Sequence, residues 1–135
     1  MCSFKETTMK KIATDKMQSA ILRDMIGVES ADMVWISGAP SQLCVIDGEY
    51  VKRENLDEYD TLAYSLDALI DVLSHERAEI CFYRSADSFD HWICRWMKRI
   101  GIEVATLHKA GKTKVDAAFE VVVSLYKEGY IKRGQ

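Results

Sequence analysis

The sequence predicts an α/β domain: a mixed five-stranded sheet, three antiparallel strands followed by two parallel additions, with helices on both faces and an extra N-terminal helix. Three observations carry this expectation. Two turn signals, Gly38-Ala39-Pro40-Ser41 and Asp47-Gly48, separate short β-rich runs early in the chain. Two apolar runs near residues 80 and 103 alternate with stretches of helical periodicity. The 135 residues, 48% hydrophobic and 10% aromatic, suffice for one continuous core. The expected organisation is therefore one domain over 1–135, with a helical extension at 1–30 and a core at 32–128.

Met9, Ile12, Ala13, Met17, Ala20, Ile21 and Met25 fall at helical spacing, with Thr7 or Thr8 as an N-cap and Gly27 as a stop, which predicts the first helix. A meander follows through Met33–Ser37, Leu43–Asp47 and Tyr50–Lys52. From Asp57 to His75 the residues Tyr59, Leu62, Ala63, Leu66, Leu69, Ile70 and Leu73 stripe one helical face. Glu79–Tyr83 reads as a buried strand, and Ser88 caps a helix on which Phe89, Trp92, Ile93, Trp96 and Ile100 share a face, ended by Gly101. Ile102–Leu107 is the last strand. Val115, Ala118, Phe119, Val122 and Tyr126 stripe a final helix closed by Gly129. Crossovers of this length require parallel pairing, so the strands near 80 and 103 are expected to be parallel neighbours. The run 89–100 also alternates at Trp92, Cys94 and Trp96; as a strand it would replace this arrangement with a roadblock-like α/β sheet.

Charge bounds the function. Eighteen basic against 21 acidic residues leave a net charge of −3, which excludes a global polycation. The charges are segregated, however: residues 47–79 hold ten acids and three bases, whereas residues 95–114 hold six bases and one acid. Four dispersed cysteines, Cys2, Cys44, Cys81 and Cys94, with no C-x-x-C pair and no apolar leader, are expected to be reduced thiols in the cytoplasm. No run approaches the ~20 apolar residues that span a bilayer, so no membrane role is expected. A partner or self-association surface on the methionine-bearing first helix stands as an alternative to its packing on the same chain.

The order of elements, with Val34–Ser41 through Val45–Gly48 as an opening hairpin and Lys109–Val115 as a lysine-rich entry to the last helix, resembles the RNase H-like superfamily and its RuvC-type resolvases over residues 32–128. That resemblance implies a Mg²⁺-dependent or Mn²⁺-dependent nuclease, whose two metals need hard carboxylate ligands. The chain departs from the pattern, with Ser37 on the first strand and Tyr83-Arg84-Ser85 ending the fourth. Asp87, Asp116 and Asp67 are the acids left for a catalytic role, with Asp71 beside Asp67. The expectation is a nucleic-acid-associated protein with degenerate or absent nuclease activity and no assigned cofactor. Alternatives are an active nuclease, RuvC-like or NYN/PIN-like, and a non-enzymatic protein-interaction module. The NYN-like reading rests on Val45–Glu49 and Lys114–Ala118, which pair Asp47 with Asp116.

The carboxyl ends of parallel strands and the amino ends of the following helices form the ligand crevice of an open α/β sheet. Lys109, Lys112, Lys114, Arg84 and Arg95 are the candidate phosphate or nucleic-acid contacts, against a plain reading as solvated charges. Trp92 and Trp96 read as core or as stacking platforms. His91-x-x-Cys94 has helical spacing for zinc but lacks two further ligands at matching spacing.

Overall fold

Asp15 starts the first helix, α1 (Lys16–Ile26), through a capping box in which its carboxylate accepts from the Gln18 N–H at 2.7 Å while Gln18 Oε1 accepts from the Asp15 N–H at 3.1 Å. The structure is a computed structural model and describes residues 11–27, 29–36, 39–42, 61–87 and 90–132. The expected caps Thr7 and Thr8 and the stripe residue Met9 lie outside these. The helix begins later than its periodicity suggested and buries a different face: Ser19, Leu22 and Ile26 are inside, whereas Met17 is 74% and Ile21 37% exposed. Residues 11–14 precede it, and Ala13 bridges Ser65.

Strand β1 (Met33–Ile36) pairs antiparallel with β2 (Ala39–Gln42) on one side and β3 (Thr61–Ala63) on the other. Ala39-Pro40-Ser41, expected to be a break, is most of β2, where an edge position tolerates the proline that cannot donate to a ladder. The expected strands at 43–47 and 50–52 and the Asp47-Gly48 turn lie outside the described residues. Helix α2 (Leu66–Leu73) is shorter than the stripe from 57 implied, because Thr61–Ala63 is extended; Leu62, 2% exposed, is buried from a strand. Ser65 caps α2 by accepting from the Ala68 N–H, and Asp32 fixes Ser65 by accepting from its N–H at 2.9 Å and from its hydroxyl.

The second half is an antiparallel meander, β4 (Glu79–Arg84), β5 (Trp92–Ile100) and β6 (Glu103–Gly111), followed by helix α3 (Lys114–Lys127). Three expectations are corrected here. The run 89–100 is not a helix; β4 and β6 are not parallel neighbours but flank β5; and the described strands form two three-stranded antiparallel sheets, β2-β1-β3 and β4-β5-β6, with no parallel pair among them. The mixed five-stranded sheet of the RNase H-like reading is thus replaced. The physical reason is the period-two set Trp92, Cys94, Trp96, which places Cys94 (0% exposed) and Trp96 (2%) against the helices. Gly101 does not stop a helix. At φ 67° it is the first residue of a two-residue connection, Gly101-Ile102, between the paired Ile100 and Glu103.

Helix α3 covers β5 and β6 and packs against α2, which reaches β4. Val115, Ala117, Ala118, Phe119, Val121, Val122 and Leu125 give it a broad apolar face. The Trp96 indole N–H donates to the Leu73 carbonyl at 3.1 Å, tying β5 to the end of α2. Helices were expected on both faces of the sheet. Instead Ile80, Phe82, Trp92, Ala105 and Leu107 face the core, while Cys81, Tyr83, Val104, Thr106 and His108 are exposed on the other side, which no described helix covers.

Candidate phosphate-binding site

Antiparallel register sets Arg84, Trp92 and Gly111 side by side across the end of the β4-β5-β6 sheet, on the face that α3 covers. Gly111 lets the helix in. A Cβ there would stand 2.5 Å from the Ala117 backbone nitrogen and 2.7 Å from Asp116, so only glycine allows the first turn of α3 to lie on the strand. Thr113 caps that turn by accepting from the Asp116 N–H at 3.0 Å. The turn carries Lys114 to Trp92: its Nζ lies 4.6 Å from the ring centroid and 6.0 Å from that of Phe82, while the Arg84 guanidinium carbon lies 4.4 Å from the Trp92 centroid.

Two cations thus share one indole. Each cation–π contact at an exposed site is worth roughly 0.5–1 kcal/mol and holds a long side chain in place. Both residues are exposed, as is Lys112 in the bend between β6 and α3. Lys109, opposite Cys94, is exposed one cross-strand row further in. Of the five expected basic contacts, Arg84, Lys112 and Lys114 gather at this sheet end with Lys109 beside them. Arg95 does not join them. It sits opposite Cys81 and His108 on the uncovered face, with its buried Nε without a hydrogen-bond partner.

The expected acids occupy three separate settings. Asp116 accepts from Lys11 Nζ at 2.6 Å, from Gln18 Nε2 at 2.9 Å and from the Thr113 hydroxyl at 2.9 Å, so it ties the segment before α1, and α1 itself, to α3. Burial pushes its carboxyl up, but the hydrogen bonds from Lys11, Gln18 and Thr113 and the Lys11 charge outweigh this and hold it below the ordinary carboxylate value. Asp87 is exposed in the loop after β4, where its N–H donates to the Ser85 hydroxyl at 3.2 Å. Asp67 lies in the first turn of α2 and lines an open cleft of about 500 Å³ with Glu29, Asp32, Asp71 and His75. No group of three or more His, Cys, Asp or Glu among the described residues has the arrangement to hold a metal ion, and Asp47 and Ser37 lie outside those residues. His91 and Cys94 lie on an extended chain and so lose the helical spacing that suggested zinc.

Sequence reasoning missed Trp92 as the platform that collects the cations, because it placed the residue on a helix. The signal was the alternation Trp92-Cys94-Trp96 read together with Gly101. It missed Lys11 as the partner of Asp116, a contact between residues 105 apart that no local pattern encodes. Among the described residues no helix is long and apolar enough to cross a membrane. Comparison with family models, curated proteins and solved structures finds no match.

Proposed function

We propose that the chain binds the phosphate backbone of a nucleic acid at the Arg84–Trp92–Lys114 end of the sheet and does not cut it. The observation that supports this reading is the double cation–π arrangement at the start of a 14-residue helix. Arg84 and Lys114 bring two positive charges to one ring beside a helix amino end, whose partial positive charge adds to theirs in attracting an anion. Lys109 and Lys112 extend the same positive edge. With both cations held against it, Trp92 serves as their support, and the readout is of charge and spacing with no base identity in it. A non-cutting role fits the acids: Asp116 is engaged in a structural tie, and Asp67 and Asp87 stand apart from it.

The test is the salt dependence of binding to a fluorescein-labelled single-stranded oligonucleotide of mixed sequence. Each phosphate neutralised contributes about 0.7 to the slope of log affinity against log salt for single strands. Arg84→Ala and Lys114→Ala are each expected to flatten that slope by about one such step, alike for all sequences. Lys127→Ala is the control, removing a lysine at the other end of α3, about 20 Å away at 1.5 Å per residue. No binding at low salt, or the same loss from the control, refutes the proposal.

A further inference from the structure

We infer that β6 is a self-association edge, and that two copies of this chain join their β4-β5-β6 sheets through antiparallel β6–β6 pairing centred on Thr106. Alternate residues of an antiparallel strand turn their N–H and C=O groups to the same side. Nine residues of β6 pair with β5, and among the described residues the strand has no second neighbour in its sheet. Half its backbone groups therefore face outward along a strand about 30 Å long at ~3.4 Å per residue. Such an edge is a template for another chain unless charge, proline or a bulge blunts it. β6 contains no proline, and its pairing runs without a bulge from Glu103 to Gly111.

The sequence of β6 selects both the partner and the register. A two-fold axis at Thr106 sets Glu103 of one copy opposite Lys109 of the other, and by symmetry does so twice. Both residues are exposed, and both belong to the face that α3 covers, since Glu103 lies opposite Ile100 and Lys109 opposite Cys94. The same register sets Ala105 against Leu107 on that face, extending the apolar row from the existing core, and Val104 (52% exposed) against His108 on the uncovered face. Registers shifted by two residues, which keep the faces aligned, lose both Glu–Lys pairs. Directly opposed unlike charges favour a strand pair and like charges disfavour it. Because the strand is complementary to itself in this alignment, the occupant is a second copy, and the isologous contact closes at two.

Sedimentation equilibrium over a range of protein concentrations reads the result. The unmodified chain is expected to dimerise. Glu103→Lys sets lysine against lysine and Lys109→Glu sets glutamate against glutamate, so each single variant is expected to weaken dimerisation several-fold. The double variant carrying Glu103→Lys and Lys109→Glu restores two unlike pairs and is expected to recover the dimer. Recovery cannot come from a general loss of folding in the single variants, and circular dichroism spectra are expected to coincide for all four proteins. A chain that stays monomeric at every concentration, a dimer indifferent to the single reversals, or a double variant that does not recover would each overturn the assignment. Lys109 belongs to both surfaces, so Glu103→Lys, which lies outside the proposed nucleic-acid site, is the variant that reads dimerisation apart from oligonucleotide binding.

Discussion

Asp116 shows how a residue type that reads as catalytic becomes structural once its neighbours are known. Its carboxylate has three side-chain donors, and its hydrogen-bond partners come from the segment before α1, from α1 and from the cap of α3. Asp116→Asn is expected to destabilise the fold at pH 7 by about 1.5–3 kcal/mol, the range for hydrogen bonds to a charged group. The carboxyl's folded-state pKa is depressed, so its contribution is present above the unfolded value of about 3.9 and is lost as pH falls through the folded value. Urea unfolding of both proteins at pH 7 and again near pH 3 checks this: the gap between them should narrow at the lower pH, and a constant gap would mean that the charge is irrelevant. The two described cysteines make a second contrast. Burial, then the neighbouring Cys81, pushes the Cys94 thiol up to about 12, whereas Cys81 is exposed on the other face. A brief iodoacetamide pulse followed by peptide mass spectrometry should label Cys81 and spare Cys94 until the protein unfolds; equal labelling would contradict the burial of β5.

At the scale of elements, what the sequence disclosed was governed by how many periods each run satisfied. The last helix was legible to within a residue, because Val115, Ala118, Phe119 and Val122 fit only a 3.6-residue repeat and all four are buried. Residues 89–100 satisfied two repeats at once, and the choice fell to the Gly101-Ile102 connection, whose meaning depends on strands pairing at both its ends. The stripe on α1 was misplaced because Leu22, which is 0% exposed, was left out of it while exposed Met17 and Ile21 were counted in. Of the candidate site, the lysine loop was visible as charge, but its gathering around Trp92 required the register that brings Arg84 beside Trp92 and Gly111. The two glycines of the hairpin test this layout by different routes. Gly101→Ala meets open space but forces φ 67° on a residue with a Cβ, a loss of about 1 kcal/mol or somewhat more. Gly111→Ala meets the backbone of α3 and is expected to lose about 1–3 kcal/mol by overpacking, and also to weaken oligonucleotide binding as Lys114 shifts off Trp92. Thermal unfolding ranks the two stabilities, and only Gly111→Ala should change the affinity; an effect of Gly101→Ala on binding would detach the site from the helix start.

Across the whole molecule, the apolar surface is concentrated between α3, α2, α1 and one face of the β4-β5-β6 sheet, where Leu22, Leu69, Leu73, Cys94, Trp96, Val121, Val122 and Leu125 form one cluster. Amide exchange should therefore be slowest in β5 and α3, whose hydrogen bonds open only when that cluster does. The two edges of this sheet then separate a self-associating molecule from one that is merely sticky. β4 and β6 each flank β5, and among the described residues neither pairs with a second strand in that sheet. In a dilute monomer the outward amides of both strands are expected to exchange quickly, and the inward ones slowly. Raising the concentration through the dimer range should slow the outward amides of Val104–His108 and leave those of Glu79–Arg84 unchanged, because the Glu103–Lys109 match exists only on β6. In Glu103→Lys the added protection of β6 should be smaller at the same concentration, with β5 and α3 as slow as before. Protection that grows on β4 instead would place the contact on the other edge, and protection that grows on both would indicate open-ended sheet stacking in place of a closed pair.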